Sequence, residues 1–219
     1  MSSRRSVFQQ GDHVCTLYSS KEEQLAAAVE YVIGGLSRGE RCLYICGEHT
    51  PTQFRAALKR AGVDVPVAER RGALLLLTKH EAHLAGGKFD PDRMISILHQ
   101  SVKDALKDGF EGLCAAGDMC WVLDGAPGTE RLAEYESRLN AFYKKHRALG
   151  LCQYNRNTIP EPFLDHCIAT HPVVRVEGLA LKNPFYEPPK KAIVRTPERS
   201  DKVRAKIQHF ADQAQRMSI

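Results

Sequence analysis

Apolar positions along this 219-residue chain fall into two patterns that take turns. Short, nearly unbroken runs, HVCTLY (13–18), RCLYIC (41–46), ALLLLT (73–78), GLCAAGDMCWVL (112–123), GLCQY (150–154) and VVRVEG (173–178), read as strands covered on both faces. Between them, apolar side chains recur at helical spacing. Ser20 and Glu23 have the spacing of a capping box ahead of Leu25, Val29, Val32, Ile33 and Leu36, which share one helical face. Thr50 and Pro51 suit a cap and first helical position before Phe54 and Leu58, with Gly62 as the stop. Asp90 and Pro91 open a helix whose inner face is Met94, Ile95, Leu98, Val102, Ala105 and Leu106, and Gly109 ends it. Another, from about Thr129, carries Leu132, Tyr135, Leu139 and Phe142, and a further one is predicted near 161–170. Strand alternating with helix predicts an α/β fold, a largely parallel sheet with helices on both faces.

The pattern changes after residue 182. Residues 183–199, NPFYEPPKKAIVRTPER, hold four of the eleven prolines and no helical period, so they read as a linker or an extended arm. Beyond them Val203, Ile207, Phe210, Ala214 and Met217 step by four and three, a short amphipathic helix. A helix of this length is unstable alone in water, so its apolar face has to dock against the core, a second copy or another protein, and a second copy or a signalling protein is the expected destination. Lys202, Arg204, Lys206 and Arg216 are a solvated face or a guide to an acidic partner. The chain thus divides into a domain over 10–182 and an arm with a C-terminal helix over 183–219.

Composition narrows the class. The length suits one doubly wound domain with a full core. No apolar run reaches 18 residues and the first residues lack a signal-peptide core, so a cytoplasmic, non-membrane protein is expected. Residues 182–219 hold nine Lys and Arg against four Asp and Glu, whereas the rest of the chain is balanced at 22 of each. The basic excess belongs to the tail, and direct nucleic-acid binding by the core is not expected. The seven cysteines include no C-x-x-C pair and read as reduced thiols, several of them small hydrophobes inside strands.

In a RecA-type ATPase the connection after the first strand is a glycine-rich phosphate cradle. Here it is LYSSKEEQL (17–25), with no glycine and with Lys21 followed by Glu22 and Glu23. No H-E-x-x-H or G-x-G-x-x-G occurs either, so no enzyme class is indicated.

The stretch DHVCTLYSSKEEQLAAAVEYVIGGLSRGERCLYICGEHTPTQFRAALKRAGVD (12–64), followed by AAGDMCWVL (115–123), LCQYN (151–155), HPVVRVEG (171–178) and NPFYEPP (183–189), resembles the MEDS family, the methanogen/methylotroph DcmR-type sensory domains. The likeness spans roughly residues 10–190. It implies a RecA/KaiC-like sheet without a phosphate loop and a non-catalytic role in sensing small organic molecules such as hydrocarbon derivatives. Members are usually attached to a helix-turn-helix or a histidine kinase. This chain shows no segment that reads as either, so signalling through protein contacts of the tail is expected.

On that resemblance a small organic ligand sits at the C-terminal ends of the strands. Its expected lining is His13, Cys15 and Tyr18 from the first strand, Cys46, Glu48 and His49 from the second, Asp118 and Trp121 after the fourth, and Gln153, Tyr154 and His171 from later strand ends. No cofactor is expected. Three alternatives stay open: a residual nucleotide site; a metal or haem site built from His13, Cys15, Cys152 and His171; and a thiol redox sensor at Cys15 or Cys46. His80 and His83 have helical i, i+3 spacing, and a solvated loop or helix edge is expected for both.

Overall fold

The structure, a computed structural model, describes residues 8–187 and 200–218. Most of the prolines of the expected arm lie outside the described residues. Seven strands form one sheet: β1 (His13–Tyr18), β2 (Arg41–Cys46), β3 (Leu74–Thr78), β4 (Leu113–Asp118), β5 (Ala148–Asn155), β6 (Val173–Val176) and β7 (Leu179–Lys182). Their order is β3-β2-β4-β5-β1-β6-β7, and every neighbouring pair is parallel except β6 and β7. The helices are α1 (Lys21–Ser37), α2 (Pro51–Arg60), α3 (Val65–Arg70), α4 (Pro91–Lys107), α5 (Leu132–Lys145), α6 (Glu161–Thr170) and α7 (Ser200–Ser218).

Strand alternation sorts the core into two layers. Val14, Cys42, Tyr44, Cys114, Leu149 and Leu151 face α1, α2 and α3 with Tyr31, Phe54 and Leu58. Cys15, Leu17, Leu43, Ile45, Ala115, Cys152 and Tyr154 face the opposite layer of α4 to α7, with Met94, Tyr135, Leu139, Leu164 and Phe210. The cap residues are those the spacing predicts, although the Ser20–Glu23 box is made in one direction, the Glu23 carboxylate turning to Ser19 instead of the Ser20 N–H. Ser20 accepts from the Glu23 N–H, Thr50 and Gln53 complete a capping box, and Asp90 accepts from the N–H groups of Asp92 and Arg93.

Several elements differ from expectation. The run after Asp118 leaves the sheet, and Cys120–Asp124 is a short 3-10 helix that turns Trp121 into the core. A six-residue helix, α3, fills the segment before β3. Val173–Val176 turns back through Glu177 (φ 49°) and Gly178 (φ 82°) into β7, a tight hairpin that needs two left-handed residues. His83 is buried rather than solvated, with its ring stacked on Trp121 at 5.1 Å, because the 79–87 loop folds inward under Phe89.

The C-terminal helix is covered by its own chain. Val203, Phe210 and Ala214 are buried in the layer formed with α6, β6 and β7. Lys206 Nζ donates to Asp165 Oδ1 at 2.9 Å, and Arg204 Nε donates to Glu161 Oε1 at 2.7 Å, both on α6. Two of the four basic residues expected to face a partner are therefore paired within the fold, whereas Met217 stays exposed. Among the described residues, no helix is long and apolar enough to cross a membrane.

Candidate functional site

The expected ligand residues divide into two groups, on opposite faces of the sheet. Tyr18, Cys46, Asp118 and Gln153 point to the α1 layer near the C-terminal strand ends, with Glu48 and His49 in the loop after β2. His13, Cys15 and Tyr154 point to the α5 layer, where His171, just before β6, joins them. His13 opens β1 and Tyr18 closes it, so the two cannot share a pocket: they differ in both face and end. Trp121 belongs to neither group and is packed between His83 and Phe89.

In the first group most of the polar atoms are paired with one another, although Gln24 Oε1 has no hydrogen-bond partner. Two residues, Ser19 and Ser20, join β1 to α1. The Ser19 N–H and hydroxyl both donate to Glu23 Oε2, at 2.8 and 2.9 Å, and the Glu23 N–H donates to Ser20 Oγ at 3.1 Å. The start of α1 is thus capped by its own side chains. Lys21 bridges to Glu48 at 3.0 Å. Asp118 is fully buried and accepts from the N–H groups of Glu48 (2.8 Å) and Cys120 (3.0 Å) and from the Tyr18 hydroxyl (3.3 Å). Burial holds its carboxyl above the usual range. Gln24 donates to Tyr44 Oη at 2.6 Å and to Gln153 Oε1 at 2.8 Å, and Gln153 donates back to the Gln24 carbonyl at 3.0 Å. His49 donates to the Lys21 carbonyl at 3.0 Å.

The second group converges on a residue absent from the expected set, Glu136 of α5. His13 Nε2 lies 3.2 Å and His171 Nε2 3.3 Å from Glu136 Oε2. Cys152 Sγ is 3.7 Å from the same oxygen and 3.6 Å from His13 Nε2. The Tyr154 hydroxyl donates to Glu136 Oε1 at 2.5 Å. The two imidazoles lie with centroids 3.9 Å apart, and Tyr143 flanks His13. Gly150, the cross-strand partner of His13, makes that approach possible, since a Cβ there would lie 2.2 Å from the Tyr143 ring. All four of His13, Glu136, Cys152 and His171 are buried. Desolvation lowers His13 and His171 to about 3 and raises the carboxyl of Glu136 and the thiol of Cys152.

A cleft leads to this cluster from outside. It lies between α5 and α6, holds about 150 Å³ and is lined by Glu130, Leu132, Ala133, Glu136, Pro162, Phe163, His166 and Cys167. Glu130 and Pro162 at its mouth are exposed, and Glu136 and Cys167 at its floor are buried. The lining is mainly apolar with one inward carboxyl, the chemistry that suits a small, weakly polar molecule. Glu136 was legible as an anomaly. It sits four residues after Leu132 and three before Leu139, a carboxylate on the helical stripe that faces the core. Asn140, one turn on, repeats the signal.

The thiols are not poised for redox chemistry. Burial raises Cys15 well above the ordinary thiol range and pushes Cys46 up to about 12, the reverse of what a reactive thiolate needs.

A mostly parallel sheet in this order, with helices on both faces, is an α/β fold of the RecA/KaiC-like class. Among solved structures, a KaiC-like protein from the hyperthermophilic archaeon Pyrococcus horikoshii OT3 is similar at a TM-score of 0.52 and 14% identity, over 76% of this chain and 71% of that one. The family model described as MEDS, MEthanogen/methylotroph, DcmR Sensory domain, matches residues 12–172, and the chain belongs to that family. No curated protein matches the chain.

Proposed function

We propose that this chain is a non-catalytic sensory domain that takes a small, weakly polar organic molecule into the cleft between α5 and α6, with no nucleotide in the position where a RecA-like sheet would hold one. The observation that carries the reading is the apolar cleft that ends on the buried Glu136 carboxyl. Its volume of about 150 Å³ is that of a cavity which accepts benzene or xenon in other proteins, so the ligand is a molecule of a few heavy atoms. The nucleotide position supports the same conclusion from the other side, since Ser20, Glu23 and the Lys21–Glu48 pair occupy the start of α1 with carboxylates and hydroxyls. The cleft also has a path outward. Its α6 wall is joined to α7 by the Arg204–Glu161 and Lys206–Asp165 pairs, so a ligand that favours one position of α6 biases α7 with it. The output then passes to a protein partner or a second copy through the surface that carries α7.

A ligand of about five heavy atoms binds no more tightly than roughly −7 kcal/mol, about 10 μM, so screening belongs at high micromolar to millimolar concentration. In a thermal-shift panel of small alcohols, ketones and halogenated or aromatic hydrocarbons, a member at 100 times its Kd adds about 2.7 kcal/mol, a rise of several degrees. Ala133→Phe fills the cleft and abolishes the rise. A rise that survives this substitution, or a panel without any rise, contradicts the reading.

A further inference from the structure

We infer that His13, Glu136, Cys152 and His171 form a binding site for one divalent transition-metal ion of zinc-like preference at the inner end of the cleft. Four donor atoms, two imidazole Nε2, one carboxylate oxygen and one thiol sulfur, lie within 4.8 Å of one another. Four of the six separations, 3.2, 3.3, 3.6 and 3.7 Å, are close to the edges of a tetrahedron with metal–ligand bonds of about 2.0–2.3 Å, which are roughly 3.3–3.8 Å, and the other two lie within 4.8 Å.

The surroundings orient each donor toward the common centre. Asn140 spends its amide N–H groups on the carbonyls of Glu136 (3.3 Å) and Thr170 (2.6 Å), which turns its Oδ1 to His13 Nδ1 at 3.3 Å. The His171 Nδ1–H donates to the Cys167 carbonyl at 2.6 Å. Both imidazoles therefore carry their proton on Nδ1 and present an Nε2 lone pair, and Tyr154 takes Glu136 Oε1 and leaves Oε2 for the centre. Hydrogen bonding alone leaves this arrangement short of donors. One carboxylic proton and one weak thiol donor face two imidazole lone pairs, and His171 Nε2 has no hydrogen-bond partner.

A dication resolves that deficit. As it binds, the Glu136 carboxyl and the Cys152 thiol each release one proton to solvent, and one carboxylate and one thiolate neutralise the two positive charges, as a buried site requires. The mixed nitrogen, oxygen and sulfur set suits zinc or cobalt and is poor for magnesium or calcium. The inference rests on the sensory reading only for the role of the cleft, through which a ligand would reach the metal beside Glu136; the donor set stands independently of it.

The test uses the untagged full chain and cobalt(II) as probe. One equivalent should bind with tetrahedral d–d absorption and a thiolate-to-cobalt charge-transfer band, and zinc(II) should displace it. Cys152→Ser, nearly isosteric, should lose the charge-transfer band, His171→Ala should lose stoichiometric binding, and Tyr154→Phe should weaken affinity about 10–100-fold while remaining folded. Absence of saturable one-to-one cobalt binding by the wild-type chain overturns the inference, as does a charge-transfer band that persists in Cys152→Ser. Those two readings do not depend on whether His171→Ala folds. If cobalt fails to bind while the organic-ligand thermal shift survives, the metal falls and the cleft stands. If cobalt binds as described without such a shift, the metal stands and the cleft falls.

Discussion

His83 shows what burial does to a single titratable side chain in this fold. Its ring is stacked on Trp121, its Nδ1 has no hydrogen-bond partner, and desolvation lowers its pKa from the ordinary 6.5 to about 3. The unfolded chain takes up this proton near pH 6.5, whereas the folded chain resists until about pH 3. The stability is therefore present above 6.5 and is lost as pH falls toward 3. Between pH 7 and 5 this group alone accounts for about 2 kcal/mol of destabilisation. Urea unfolding at those two pH values should show His83→Phe losing about that much less than the wild type; equal losses would contradict the assignment. Gly150 makes a second point at this scale. With a Cβ only 2.2 Å from the Tyr143 ring, Gly150→Ala forces Tyr143 off His13 and should cost about 1–3 kcal/mol in the same assay. A neutral effect would mean that the ring has another place to go. Residue parity also shows how much of the site was legible. His13 and Tyr18 are five apart on one strand, an odd separation, and strand geometry alone assigns them to opposite faces. A ligand set built on strand-end position without parity merged two different places.

At the scale of elements, the strongly periodic or unbroken segments were read correctly, and the short ones were not. β1, β2, β4 and β5 are visible because strands buried on both faces need continuous apolar runs, and the edge strand β3 shows the same run although Leu75 is exposed. Helices α1, α2 and α4 announce themselves through Ser20, Thr50 and Asp90. β7 has four residues and follows a two-residue turn in which Glu177 takes the left-handed conformation that sequence would assign to Asn or Gly, so nothing local marked it. Cys120–Asp124 continues the apolar run of β4 and was indistinguishable from strand by hydrophobicity, although it is a 3-10 helix. The C-terminal helix was legible as amphipathic, but its partner was not, because a heptad-like stripe does not say which surface it meets. Here it meets α6. Lys206 is buried beside the fully buried Asp165, so Lys206→Met, which keeps the stem and removes the charge, should destabilise the chain by about 2–4 kcal/mol in urea unfolding. A cost below about 0.5 kcal/mol would show that α7 lies loosely on the domain.

At the scale of the whole molecule, the sheet separates two places, one on each face. The α1 side, where a nucleotide would bind, is a polar network around Asp118, Tyr18, Gln24 and Gln153. The α5 side holds the apolar cleft and, reached through Glu136 at its floor, the cluster of Glu136 with His13, Cys152 and His171. The chain belongs to a family of sensory domains, and the cleft lies beside α6, against which α7 packs. The central claim is that the sensed molecule binds on the α5 side. Hydrogen-exchange mass spectrometry tests it most directly, comparing the free chain with the chain holding the organic probe of largest thermal shift and, separately, millimolar MgATP. The account predicts that the organic probe slows exchange over residues 130–137 and 160–168 and that MgATP changes nothing over 17–25 or 47–50. MgATP-dependent protection at 17–25, or organic-probe protection confined to that side of the sheet, would contradict it.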